Sequence, residues 1–366
     1  MSGSAISSGA SVIGEVLAER EWEAQLEREV FATAEPAAIA EAVDGFCRSH
    51  LGAGAAHYEF FATSVGSVHG VGLSDGRRVV IKVHRADADG DHLVAVQRVQ
   101  AHLGAAHFPC PRPVLGPTPL AHGLAVVETL LDEGTWADAH VPAVRGEMAS
   151  TLARLIELCR PLGAPAGLGS IRDGARRLWL QPHDRRFDFA GTSHGAEWID
   201  RLRDAANQQL DRLGPAQAVI GHSDFRAEHL RFADGRVSAV YDWDSLGVGP
   251  EPVVVGNAAH AFTADWSRRG WQLPTLTESF AFISDYEAAR GTPFGREERQ
   301  AASAAMIAAL SYSARCEHSD RLTRFGTQPP GPAPAAVPPG GFLAHLASRG
   351  AALLGVADQS PPIAAP

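Results

Sequence analysis

The dipeptide Asp234-Gly235 constrains this chain more than any other pair of residues. Both residue types accept positive φ, so between short runs of alternating apolar character they encode a two-residue β-hairpin loop. With those two residues as the loop, Phe232 faces Val237, Leu230 faces Ala239 and His229 faces Val240. Asp242 then lies diagonally from His229, about 7–8 Å away between backbones, a gap that side chains close. The segment leading into the hairpin, from Gly221 to His229, carries Asp224. The spacing therefore predicts that Asp224, His229 and Asp242 converge at the open end of one hairpin.

His222-Ser223-Asp224, the hairpin and Asp242-Trp243 together resemble the aminoglycoside phosphotransferase family, the small-molecule branch of the protein-kinase-like fold. That family carries His-Gly-Asp, four residues, Asn, a hairpin, and Asp-Trp or Asp-Phe. The resemblance implies an α+β, bilobal protein-kinase-like fold, with a small, mostly antiparallel β N-lobe and a larger helical C-lobe. It also implies transfer of the γ-phosphoryl group of ATP (or GTP) to a hydroxyl of a small molecule, with aminoglycosides and amino sugars among the candidate acceptors. Phosphoryl transfer asks the protein mainly for positioning and charge neutralisation. Asp224 matches the carboxylate that orients the attacking hydroxyl, and Asp242 matches the ligand of the divalent ion. Arg226, two residues after Asp224, is expected to contact the transferred phosphoryl group.

Composition singles out one more residue. Of the 32 basic side chains, all but Lys82 are arginine. A position that holds lysine against such a bias calls for a compact ammonium on a flexible stem. Lys82 also sits in Val79-Val-Ile-Lys-Val83, a buried-strand pattern in which an unpaired cation is costly. The resemblance assigns it to the nucleotide phosphates. Helix Asp91–Leu103 follows, where related kinases place a glutamate that pairs with this lysine, but no glutamate occurs there. An acid from Asp87–Asp91, or the phosphates alone, remain open as partners.

At 366 residues, 45% hydrophobic and 20% charged, the chain is globular and long enough for two cores. A net charge of −10 argues against nucleic acid as the main partner. Cys47, Cys110, Cys159 and Cys316 are scattered, which fits a reducing compartment. No apolar run reaches the ~20 residues of a membrane span, and no signal peptide is read, so the expected location is cytoplasmic without membrane contact. Oligomeric state is not readable.

Along the chain, residues 1–50 read as a helical extension, with Val16, Trp22, Leu26 and Val30 on one face of a helix over 12–31. Residues 51–127 read as the nucleotide-binding lobe. Strands are expected at 58–61, 69–73 and 77–83, and the connector between the first two brings Ser64, Gly66 and Ser67 to the phosphates. A strand over 124–131 runs into the hinge, where Glu128 to Leu130 would meet the nucleotide base through main-chain atoms. Residues 128–327 read as the catalytic and substrate-binding lobe. Its helices are expected at 144–159, 197–213, 276–290 and 297–320, with an irregular insertion at 161–195. Trp179 and Trp198 there read as core anchors or substrate-site walls. Asn257 is the nearest substitute for the aspartate that braces the family's catalytic loop, and Asp265, Glu317 and Asp320 are candidate contacts for a cationic acceptor. Residues 328–366 read as a Pro/Gly-rich linker and tail, with a helix over 342–356.

His229 stands where the family has asparagine. Magnesium prefers oxygen ligands, whereas imidazole suits softer ions. Three readings are open: a site for Mn²⁺ or a similar ion; Mg²⁺ held by Asp242 and water, with His229 on a phosphate; or nucleotide binding without efficient transfer. The last defines the alternative function, a nucleotide-binding pseudokinase with a regulatory role. Asp244 is a further carboxylate beside the ion position, or else a cap on the following turn.

Overall fold

The computed structural model describes residues 2–19, 24–171, 178–179, 182–213, 217–268, 270–325 and 341–355. The chain divides into two compact units, Met1–Asp132 and Glu133–Pro366.

The first unit opens with α1 (Ser2–Glu19), α2 (Ala24–Phe31) and α3 (Pro36–Phe46), the last prolonged by a π-turn at Cys47–Leu51. The single helix expected over 12–31 is thus two helices, and Trp22 lies outside the described residues. Five strands follow around α4 (Gly90–Ala105): β1 (Ala55–Thr63), β2 (Ser67–Leu73), β3 (Arg78–His84), β4 (Pro113–Leu120) and β5 (Gly123–Thr129). They form one antiparallel sheet in the order β1-β2-β3-β5-β4. The proline-bearing β4 takes an edge, where a missing N–H costs least. Alternation along β3 sends Val79, Ile81 and Val83 into a core shared with Ile13, Leu17, Leu26, Ile39 and Val43 of the N-terminal helices. The opposite parity leaves Val80 and Lys82 on the other face, level with Glu128 and Val126 of β5.

The second unit is mainly helical: α5 (Pro142–Cys159), α6 (Glu197–Asp211), α7 (Glu251–Ala259), α8 (Leu276–Arg290), α9 (Arg296–Phe325) and α10 (Gly341–Leu354). Two small ribbons interrupt it. Strand β6 (Ala218–His222) pairs with β9 (Leu246–Pro250), and β7 (Leu230–Ala233) pairs with β8 (Arg236–Val240). The expected stripe of α5, namely Met148, Leu152, Leu155 and Ile156, is fully buried. An alanine-lined stretch of α9 packs with α6, α7 and α10. At Glu251 the start of α7 is tied to α8 by Tyr286 Oη (2.7 Å) and Arg290 (2.9 Å), and to Arg160 (3.0 Å). Trp179 donates to Asp200 at 2.8 Å and, with Trp198, packs against the same core, so both are anchors. The linker expected at 328–340 lies outside the described residues. All four cysteines are buried, and among the described residues none forms a disulfide. Among the described residues no helix is long and apolar enough to cross a membrane.

Candidate active site

The site is built on a loop whose backbone is held almost residue by residue. Gly221 brings β6 against α7, because a Cβ there would lie 2.4 Å from Val254 Cγ1. His222, the last residue of β6, is fully buried. Its Nδ1 accepts the Asp224 N–H at 3.2 Å and its Nε2 donates to the Tyr241 carbonyl at 2.9 Å. Those two bonds require the neutral Nε2–H tautomer, and burial lowers the pKa in the same sense. Ser223 donates its N–H to the Ser245 carbonyl at 2.9 Å. Ala227 and Glu228 donate theirs to the carbonyls of Phe262 (2.8 Å) and Ala264 (3.2 Å). Those two carbonyls brace the loop, a role the sequence suggested for Asn257. Phe225 and Ala227 point into the core, so the side chain of Asp224 is left projecting from a fixed frame.

The hairpin turn forms as expected, with Asp234 at φ +51° and Gly235 at φ +75°, and Phe232 faces Val237. Beyond that pair the register departs from a regular ladder. Arg231 faces Ala239 and Leu230 faces Val240, because Ser238 is an extra residue in β8, a β-bulge. Its Oγ donates to the Glu133 carbonyl at 2.7 Å. His229 consequently faces Tyr241, whose N–H donates to the His229 carbonyl at 2.9 Å. Asp242 is one residue past His229 in the pairing rather than two. It takes the left-handed conformation, φ +60° and ψ +50°, one that Asp tolerates better than most residues.

The result is convergence. His229 Nε2 lies 3.3 Å from Asp224 Oδ2 and 3.9 Å from Asp242 Oδ2. Asp242 Oδ2 also accepts from Ser245 Oγ at 2.6 Å. Arg226 forms an ion pair with Asp224, bonds Glu228 through both Nε (3.0 Å) and Nη2 (2.9 Å), and lies 5.1 Å from the Trp266 ring centre. Burial opposes ionisation of Asp224, but the charge of Arg226 and the contact with His229 outweigh it and hold this carboxyl well below the usual range. Burial likewise opposes the charge of Arg226, and Asp224, Glu228 and Asp242 more than offset that, so its pKa is raised.

Asp224, His229 and Asp242 each offer a ligand atom, and these atoms lie within 4.8 Å of one another. Two ligands on one octahedral ion with bonds of 2.0–2.1 Å stand about 3 Å apart when adjacent and about 4 Å when opposite. The separations of His229 from the two carboxylates, 3.3 and 3.9 Å, fall in that range, so His229 with Asp224 or with Asp242 suits a small divalent ion, and the imidazole widens the choice toward Mn²⁺. Asp244 is not in the group. It lies in the 3₁₀ turn Trp243–Ser245.

In the first unit, Lys82 Nζ lies 3.6 Å from Glu128 Oε1, and both residues are buried. Gln100 of α4 donates from Nε2 to the other carboxylate oxygen, Glu128 Oε2, at 2.8 Å. Among the acids of 87–91, Asp89 is instead the N-cap of α4, accepting from the N–H groups of Asp91 and His92. Glu128 was expected to act through its main chain, and that expectation is corrected. Its backbone pairs with Val80 on one side and Pro113 on the other. Nor are the next two N–H groups open to a base, since Thr129 donates to Arg112 and Leu130 to Arg78. Ser64 and Gly66 form the β1–β2 turn, in which the Ser64 N–H donates to the Gly66 carbonyl at 3.1 Å. Ser67 is not in that turn. It begins β2, is fully buried, and its Oγ lies 3.0 Å from His69 Nε2.

Two of the three acids expected for a cationic acceptor have partners elsewhere in the fold. Asp265 is buried and accepts the Ser267 N–H at 3.0 Å. Glu317 is buried, pairs with Arg321 and accepts the Leu343 N–H at 3.0 Å. Asp320, on α9, is half-buried.

A sequence model of the phosphotransferase enzyme family matches residues 68–301, a span that takes in Lys82, Asp224 and Asp242. The chain belongs to that family. Solved structures with the same fold include the amicoumacin kinase hAmiN in complex with AMP-PNP, Ca²⁺ and Ami (10% identity over 83% of this chain and 90% of that one, TM-score 0.55). The AMP-bound spectinomycin phosphotransferase APH(9)-Ia is 12% identical over 78% of this chain and 90% of its own, with a TM-score of 0.52. The aminoglycoside phosphotransferase APH(4)-Ia is 15% identical over 87% and 99%, with a TM-score of 0.53. At such identities the likeness is one of fold, the α+β kinase-like fold. No curated protein sequence matches the chain.

Proposed function

We propose that this protein transfers the γ-phosphoryl group of ATP, or of GTP, to a hydroxyl of a small molecule. The observation that carries the reading is the convergence of Asp224, His229 and Asp242 on one point in a chain of this family. Asp224 accepts a hydrogen bond from the acceptor hydroxyl and takes its proton as the new O–P bond forms. Arg226 and His229 keep that carboxylate ionised and aimed. Arg226 also offers a guanidinium to the oxygens of the transferred group. Asp242 and His229 would hold a divalent ion, Mg²⁺ or Mn²⁺, which when bound neutralises charge on the phosphate oxygens. Lys82 is assigned to the nucleotide phosphates, with the β1–β2 turn at Ser64 and Gly66 as a main-chain contact.

The surroundings of Asp224 bear on the acceptor. Asp265 and Glu317 are committed inside the fold, and Glu228 shares Arg226 with Asp224. His183 and His260 stand close enough to feel the charges of Asp224 and Arg226. Trp266 stacks on Arg226. Asp224, Glu228 and Asp242 together outnumber Arg226, so a cationic hydroxyl compound such as an amino sugar or aminoglycoside stays among the acceptors these charges suit.

Metal-dependent turnover of ATP and GTP with neutral, anionic and cationic alcohols tests this reading. Acceptor-dependent release of ADP or GDP in the wild type, lost in Asp224→Ala with nucleotide binding intact, is the expected result. Nucleotide binding with no transfer to any acceptor would favour a pseudokinase.

A further inference from the structure

The cation on β3 has its carboxylate partner on a neighbouring strand. Lys82 and Glu128 belong to β3 and β5, adjacent strands of one sheet, and the register pairs Lys82 with Val126 and Val80 with Glu128. The two side chains therefore emerge on the same face, two residues apart, and meet at 3.6 Å. The helix α4 has no acid beyond its first turn. It offers Gln100, whose amide N–H₂ holds Glu128 Oε2 at 2.8 Å while Oε1 faces the ammonium. One carboxylate oxygen is thus held by a hydrogen bond while the other faces the buried ammonium, which sets the direction in which the carboxylate draws the lysine.

We propose that Glu128 is the positioning residue that aims Lys82 at the nucleotide phosphates, with Gln100 of α4 holding Glu128 in place. This rests on the phosphotransferase reading above. The arrangement separates two jobs. Charge neutralisation comes from within the sheet, whose β3–β5 pairing is a continuous ladder of hydrogen bonds. The helix contributes only a neutral hydrogen bond. The carboxylate that faces Lys82 is therefore placed by the sheet and held there by α4.

The test is a relocation of the carboxylate, read by nucleotide affinity and by steady-state kinetics on the full chain. Glu128→Gln is expected to weaken ATP binding roughly tenfold or more, the size of a buried ion's lost charged partner. Gln100→Ala should weaken it by only about threefold, as a neutral bond does. The double variant Gln100→Glu/Glu128→Gln keeps the net charge and moves the acid onto the helix. It should recover affinity to within a few-fold of wild type. In a Lys82→Met background, Glu128→Gln should add no further loss, because Glu128 acts through the lysine.

Thermal unfolding of each variant separates this from a general loss of fold. The proposal is overturned if Glu128→Gln binds ATP like the wild type, or if its loss persists undiminished without Lys82. It is also overturned if the double variant folds with wild-type stability yet stays as weak as Glu128→Gln. Failure of the wild type to bind any nucleotide would instead overturn the phosphotransferase reading itself.

Discussion

His229 Nε2 stands 3.3 Å from Asp224 Oδ2, so the residue in the family's asparagine position touches the acid that would orient the acceptor. Imidazole is a poor ligand for magnesium and a good one for softer ions. An amide oxygen at this position would suit magnesium. His229→Asn should therefore raise turnover with Mg²⁺ relative to Mn²⁺, by about three- to tenfold, the size of a lesser ligand effect. Initial rates with each ion check it, and an unchanged metal preference would refute it. Chelation of divalent ions should abolish turnover in both proteins.

His222 carries two hydrogen bonds that shape the loop and has no solvent exposure. His222→Ala leaves the Asp224 N–H and the Tyr241 carbonyl without their partner and opens a cavity. Denaturant unfolding should show a loss of about 2–4 kcal/mol. The rate should fall further than the affinity for nucleotide, because Asp224 loses its frame.

Gly221→Ala tests the close approach of β6 to α7. The new methyl would meet Val254 at 2.4 Å, and forced overpacking costs roughly 1–3 kcal/mol. A second change, Val254→Ala, should restore most of that stability in a thermal melt.

His69 is fully buried among Phe31, Tyr58 and Phe61, and burial pushes its pKa down from 6.5 to about 3. The unfolded chain therefore takes up a proton here before the folded one does. The contribution to stability is complete above pH 6.5 and is lost progressively as pH falls from 6.5 toward about 3. Other histidines, the buried His222 and the less buried His183, His260 and His318, shift in the same direction. A difference measurement isolates the effect: melting temperature should fall less steeply with acid in His69→Phe than in the wild type. Parallel curves would show that His69 does not titrate in this way.

Local signals carried the architecture. The Asp234-Gly235 turn, the strand around Lys82, the α5 stripe and helix α8 could all be read, because each depends on residues a few positions apart. The grouping of Asp224, His229 and Asp242 was legible for the same reason. What escaped reading depends on tertiary contacts. The bulge at Ser238 is stabilised by a carbonyl more than a hundred residues away. The pairing of Lys82 with Glu128 needs the β3–β5 register, which no spacing in the sequence reveals. Asp265 and Glu317 looked available because their partners, an adjacent turn and the start of α10, become visible only once the helices pack.

The bulge at Ser238 also sets which residues meet at the open end of the ribbon. Side chains of a ribbon alternate between its faces, so the parity of one strand decides which groups can share a ligand. Ser238 is a one-residue insertion that resets this parity between the turn and Asp242. A ribbon of the same residues without the bulge would leave every acid and base in place along the chain yet pair His229 with Val240 and carry Asp242 one position farther from it. The grouping of Asp224, His229 and Asp242 is thus a property of strand register as much as of residue type.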